Sequence, residues 1–152
     1  MRLLFFYILG GGDMRKFTFD KSYEEIDLEG KIYKIDMSDE AIKNYQLAMH
    51  KYHKEAQKLE KVDVSKLDFE EQKKTFNQAL ELQKKFIETI LGKGTFDELY
   101  EKSGQSSSNM IDLVVFLGEV VGERVKKLKE KQLNRYLKNK KQFQNQKNHK
   151  RK

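Results

Sequence analysis

The sequence predicts a mainly helical (α+β) fold in which an N-terminal β-hairpin packs on a small helical bundle. Apolar and polar residues alternate from Lys16 to Ile35, which is typical of strands. From Ser38 onward the apolar residues recur at helical spacing. The chain of 152 residues contains no proline, so long helices can run without interruption. A chain of this length is short for two domains, and we expect a single core.

The hairpin is predicted around Glu29-Gly30, which separates two alternating runs and places glycine where a tight turn needs a positive φ. A lone hairpin is marginally stable in water, so its apolar residues must cover another element. The residues expected in this role are Phe17, Phe19, Ile26, Leu28, Ile32 and Ile35.

Four helices are predicted after the hairpin. Ser38 or Asp39 caps the first helix, and acidic residues favour its start. The second runs from about Asp68 to Leu91, where glycines end it. A short helix follows, and Ser108 or Asn109 caps the last one. The first helix is predicted to end near Leu59. Glycines 92 and 94 end the second helix, and the short helix spans residues 96–102.

The last predicted helix changes character along its length. Residues 110–121 are apolar almost all round, so we expect them at the centre of the core. From Lys126 the helix becomes basic. Residues 138–152 are rich in Lys, Asn and Gln, so they are predicted to form a flexible tail. The folded domain is therefore predicted to span residues 14–137.

The net charge of +7 conceals a strong asymmetry. Residues 124–152 hold thirteen Lys or Arg and a single acid, whereas residues 1–123 hold eighteen Lys or Arg and twenty-three acids. The body is therefore mildly acidic and the C-terminal end strongly basic. Any binding to nucleic acid is expected at that end, where the candidate contacts are Lys138, Lys140, Lys141 and Arg151.

The first thirteen residues, MRLLFFYILGGGD, differ from the rest of the chain. Three interpretations remain open for them: a translated leader ahead of a true start at Met14, a terminal strand with a glycine joint, or a secretory signal without a clear cleavage site. The first is favoured, because Gly-Gly-Asp-Met can be encoded by a ribosome-binding sequence before a start codon. The longest apolar run, Leu3 to Leu9, is far shorter than the roughly 20 residues of a membrane span.

The sequence predicts no catalytic, cofactor or metal site. It has no cysteine, which excludes disulfides, thiolate ligands and cysteine nucleophiles. His50 and His53 share a helix face, but zinc needs three or four protein ligands. The glycine and serine clusters match neither phosphate loops nor a nucleophile elbow. The candidate site is instead an apolar partner groove, since thioether and aromatic side chains fit varied partners; its predicted residues are Tyr45, Met49, Tyr52, Met110, Val114 and Leu117. The alternative, that such residues belong to the ordinary core, stays open, because apolar stripes at helical spacing usually face the core.

The order of these elements resembles a known family. A hairpin with the turn sequence EGKIY precedes two amphipathic helices, and residues 90–100 read ILGKGTFDELY. A serine loop, an apolar helix and a charged end follow. Over about residues 14–138 the chain resembles the tail assembly chaperones of long-tailed (siphovirus-type) bacteriophages. The block from Leu91 to Val125 carries the most specific part of the resemblance.

The resemblance implies a non-enzymatic protein without a cofactor. It would bind the hydrophobic tape measure protein and help recruit tail tube subunits during tail morphogenesis. It would act in the cytoplasm of a bacterial host, be absent from the mature virion, and could form a homo-oligomer. The alternative from the residues themselves is a small nucleic-acid-binding protein acting through its basic C-terminal end.

Overall fold

Two strands and four helices follow one another along residues 13–150, the part of the chain that the computed structural model describes. The strands are β1 (Tyr23–Leu28) and β2 (Lys31–Asp36). The helices are α1 (Asp39–Glu60), α2 (Phe69–Leu91), α3 (Thr95–Lys102) and α4 (Ser107–His149), with a 3₁₀ turn at Val64–Lys66. The predicted leader, apart from Asp13, lies outside the described residues.

The predicted hairpin turn is confirmed. β1 and β2 pair antiparallel, with Leu28 opposite Lys31 and Tyr23 opposite Asp36. Glu29 and Gly30 both have positive φ, 53° and 82°, as in the primed turns that match the twist of two short strands. The carboxylate of Asp27 accepts a hydrogen bond from the Gly30 N–H at 2.8 Å, which fixes the turn further.

The prediction of a strand from Lys16 is wrong. β1 begins at Tyr23, and Phe17 and Phe19 are 81% and 86% exposed. The reason is the lack of a pairing partner within residues 13–150: the Met37 N–H donates to the Ser22 carbonyl, and the chain then enters α1, so no strand of this part of the chain faces residues 16–20. Ile32 is also exposed, because the period of two turns Tyr33 and Ile35 towards the core instead.

Local capping chemistry places the helix ends. Ser38 caps α1 by accepting a bond from the Ala41 N–H, and Asp68 forms a capping box with Glu71 at the start of α2. Gly92, at φ 108°, ends α2 as predicted. The cap of α4 is Ser106 rather than Ser108 or Asn109; its Oγ accepts from the Asn109 N–H at 3.2 Å.

The core forms around α2, which contacts β2, α1, α3 and α4. The side chains most completely removed from solvent come from β2, α2 and α4: Ile35, Ile87, Met110, Leu117 and Val121. The hairpin therefore covers the bundle through β2, as predicted from its apolar alternation.

Ion pairs tie the hairpin side of the fold to the middle of α4. Arg124 pairs with Glu24 at 3.0 Å, and Lys131 pairs with Asp20. The hydrogen bond from Lys131 lowers the pKa of Asp20 below its usual value. The Arg124 pair holds β1 itself, whereas the Lys131 pair and a hydrogen bond from Arg124 to the Lys21 carbonyl hold the segment before β1 against α4.

The predicted flexible tail is not confirmed, because α4 continues to His149. The chain has neither proline nor any glycine after Gly122, and its Lys, Gln, Arg and Leu residues are good helix formers. Extending an existing helix also avoids the cost of nucleating a new one. Residues 129–150 are nevertheless all exposed, so this half of α4 projects from the body without burying its side chains.

Candidate functional site

An apolar groove of about 730 Å³ lies between α1, α2 and the first half of α4. Its charged lining residues in the described chain are Glu60 and Glu119, both acidic. The uncharged polar lining residues are His53, Gln72, Thr75 and Gln83. Most of the remaining surface comes from side chains of all three helices that are largely apolar, including Met49, Tyr52, Leu59, Phe76, Ala79, Phe86, Ile111 and Val115.

The groove exists because α4 is apolar on more faces than the body can cover. Met110, Leu117 and Val121 on one face are buried, as the sequence predicted for a central helix. On a neighbouring face, Ile111 and Val115 remain 46% and 54% exposed. The expectation that the whole apolar stretch lies at the centre of the core is therefore right for one face only.

The structure brings three of the six predicted groove residues together. Met49, Tyr52 and Val114 line the groove. The other three, Tyr45, Met110 and Leu117, are buried in the core and do not line this groove. They share helical stripes with the groove residues, and periodicity alone does not tell which side of an apolar helix meets the core.

Two of the polar groups that line the groove are the Tyr52 hydroxyl and the Gln83 amide. Tyr52 packs against Phe86 with ring centroids 5.4 Å apart, and burial, with the charge of Glu60, raises the pKa of the Tyr52 hydroxyl. That hydroxyl therefore stays protonated at neutral pH. The amide oxygen of Gln83 is buried without a hydrogen-bond partner among the described residues. Unpaired buried acceptors are rare in folded proteins, and this one lowers the stability of the fold.

Gln83→Leu is expected to raise the free energy of unfolding by about 1–2 kcal/mol, because it removes a buried, unpaired polar group and retains the volume. Thermal melting should show an increase of roughly 3 °C. Gln78→Leu is the matched control, since Gln78 lies exposed on the same helix. Equal effects of the two substitutions, or destabilisation by Gln83→Leu, would contradict this account of Gln83.

Sequence reasoning missed Phe76, Gln83, Ile111 and Val115 as groove residues. The sequence does indicate an exposed apolar face for Ile111 and Val115. An amphipathic helix needs only one apolar stripe to contact the core, and residues 110–121 carry apolar residues on more than one face. No sequence signal distinguishes Gln83 from the other glutamines of α2.

The basic residues predicted as nucleic-acid contacts lie on the projecting half of α4. Lys138, Lys140 and Lys141 are exposed there, and Arg151 lies outside the described residues. His50 and His53 lie on α1, and residues 13–150 contain no group of three or more His, Cys, Asp or Glu arranged to hold a metal ion. No helix in the described part of the chain is both long and apolar enough to cross a membrane.

Comparison with known proteins places the chain in a family. No curated protein and no solved structure gives a significant match to it. Residues 29–151 match the model of DUF6673, described as a family of unknown function. The match begins at the hairpin turn and covers both the groove and the projecting half of α4, and because it includes most of the chain, the protein belongs to the DUF6673 family.

Proposed function

We propose that this protein is a non-enzymatic chaperone of phage tail assembly. It would hold an apolar helix of the tape measure protein in the α1–α2–α4 groove and help bring tail tube subunits to that protein. The observation that carries the proposal is the uncovered apolar groove, with Ile111, Val115 and Phe76 exposed along it. The resemblance in element order supports the choice of partner.

The chemistry of the groove suits an amphipathic helix. Such a helix presents anchors at every third or fourth position, and it docks where a partner offers an apolar channel between helices. Met49 can adapt to anchors of different shape, because its side chain is unbranched and polarizable.

The proposal assigns the protein to the host bacterial cytoplasm during tail assembly. A tape measure protein is long and hydrophobic before the tube encloses it, so its helices need temporary cover. A chaperone in that role leaves when the tube forms, and we therefore expect the protein to be absent from the mature virion.

Phe76→Glu is expected to weaken binding of an apolar helical peptide from the tape measure protein by about 30-fold. The substitution removes an aromatic anchor worth roughly 2 kcal/mol and adds a charge to an apolar groove. Phe69→Glu is the matched control, because Phe69 is exposed on the same helix and does not line the groove. Titration calorimetry with both variants tests the proposal. Unchanged binding by Phe76→Glu, or equal losses in both variants, would contradict it.

A second candidate function is nucleic-acid binding, which one observation favours. The projecting half of α4 presents its basic side chains to solvent, with Tyr136 and Phe143 exposed among them. Phosphate contacts by such residues give affinity that falls steeply with salt, whereas peptide binding in an apolar groove depends little on salt. The dependence of binding on salt therefore separates the two functions.

A further inference from the structure

One side of α4 carries a stripe with an exposed apolar pair at each end, one pair at the body and one beyond it. At about 100° per residue, Ile111, Val115, Leu133 and Leu137 fall within about 80° of the helix circumference. Tyr136 and Phe143 flank this stripe. Leu133 and Leu137 are exposed, as are Ile111 and Val115 at the groove. Between the two pairs the same side carries Gly118, Glu119, Gly122, Lys126 and Lys129, so the stripe is apolar only at its two ends, and each apolar pair needs its own contact on a partner.

The charges of α4 are divided sharply along its length. Residues 107–123 hold three acids, Asp112, Glu119 and Glu123, and no Lys or Arg. Residues 124–149 hold ten Lys or Arg and one acid, Glu130. Two such helices in parallel would set like charges side by side, whereas two antiparallel helices set the basic half of each against the acidic half of the other.

We propose that a second copy of this chain covers the stripe, with the two α4 helices antiparallel about a two-fold axis. The projecting half of each α4 then lies over the groove of the other copy. There its apolar side chains meet Ile111 and Val115, and its lysines approach the acidic groove residues Glu60 and Glu119. The pairing is self-complementary, as a two-fold interface must be.

The exposed surface of α4 indicates that a partner covers it in solution. Every residue from 129 to 149 is exposed, which is about 30 Å of helix without cover. A stable interface needs only about 800 Å² from each copy. Helices that project into water without packing are marginal, and the projecting half of α4 also carries mutually repelling lysines. An acidic, apolar surface on a second copy removes both costs.

The inference does not rest on the proposed function, because both surfaces belong to this chain. The proposed dimer and the proposed function share one surface, since the second copy covers the same groove that an apolar helix of a partner would enter. A groove covered in this way is protected from unspecific aggregation until a tighter ligand displaces the second copy.

The first test is the mass of the full chain in solution, measured by sedimentation equilibrium. We expect a species of about 36 kDa, twice the chain mass, and no larger assembly. The double substitution Leu133→Glu with Leu137→Glu should raise the dimer dissociation constant at least about 30-fold, since it places charges on two apolar anchors. The control, Asn134→Glu with Asn145→Glu, adds the same charge away from the stripe and should leave the dimer intact. A monomer at all concentrations, a larger assembly, or equal effects of the two pairs would overturn the proposal.

The second test is the orientation of the helices, for which the absence of cysteine is useful. A short thiol-specific crosslinker should join two copies of the double variant Val115→Cys with Leu137→Cys, because antiparallel pairing brings the two ends of the stripe together. The single variants should give little crosslinked product. Efficient crosslinking of Val115→Cys alone would indicate parallel helices and overturn the proposal. Both tests use the protein alone, so their outcome is independent of whether Phe76→Glu weakens peptide binding.

Discussion

Leu117→Ala is expected to lower the free energy of unfolding by about 3–4 kcal/mol, the largest stability effect of any single change considered. Leu117 is 0% exposed and lies on the face of α4 that meets the core. Truncating a fully buried leucine removes its transfer free energy and leaves a cavity in a packed interior. Because domains of this size are stable by only about 5–15 kcal/mol, the loss should lower the melting temperature by roughly 10 °C.

Urea and thermal unfolding, followed by circular dichroism, measure this effect. Leu47→Ala is the control, because Leu47 is exposed on α1 and lies outside the groove. Its truncation should change stability by no more than about 0.5 kcal/mol. Similar losses for the two leucines would mean that the buried face of α4 is not the one identified here.

Deletion of residues 138–152 is expected to abolish most affinity for nucleic acid while leaving the melt of the body nearly unchanged at protein concentrations where the chain is monomeric. The deletion removes seven Lys or Arg, and its described residues, 138–150, are all exposed. Removal of exposed side chains shifts stability by less than about 0.5 kcal/mol. If four of the lost charges contact phosphates, the slope of log affinity against log salt should fall by about 3–4 units.

A substitution variant separates charge from helix length in this experiment. Replacing Lys138, Lys140 and Lys141 by Gln retains good helix formers and removes three charges. It should reduce the salt slope by about 2–3 units if all three contact phosphate. Melts, nucleic-acid titrations at several salt concentrations and peptide binding should be measured for both variants at one protein concentration.

The outcomes of the deletion discriminate between the two functions. Peptide binding that survives the deletion agrees with the groove as the recognition surface. Loss of peptide binding with an unchanged melt would make the C-terminal half of α4 the recognition element and contradict the groove proposal. Unfolding of the body would mean that residues 138–150 stabilise the core. That result would contradict the finding that these residues are all exposed.

Much of the fold was predictable from the sequence, because its signals are local. The turn at Gly30 follows from the need for a positive φ, and the start of α2 follows from the reciprocal bonds of Asp68 and Glu71. Gly92 ends α2 for a similar reason. Each of these features depends on residues within a few positions of one another, so the linear pattern contains all the atoms that decide it.

The tertiary structure decided the features that depend on distant partners. Phe17 and Phe19 alternate as in a strand, but a strand needs a neighbour, and the chain enters α1 before it can supply one. The C-terminal residues were too polar to order by burial, yet they continue a helix that the core had already nucleated.

The candidate site shows the same division. The sequence by itself determined that α4 is apolar on several faces near its start and basic towards its end. Only the packing of α4 against α2 decided that Leu117 is buried while Val115 lines a groove. The physical reason is that a helix of uniform apolarity has no preferred side of its own. The shape of the surfaces it meets chooses the side that is buried and so determines which side remains free to bind.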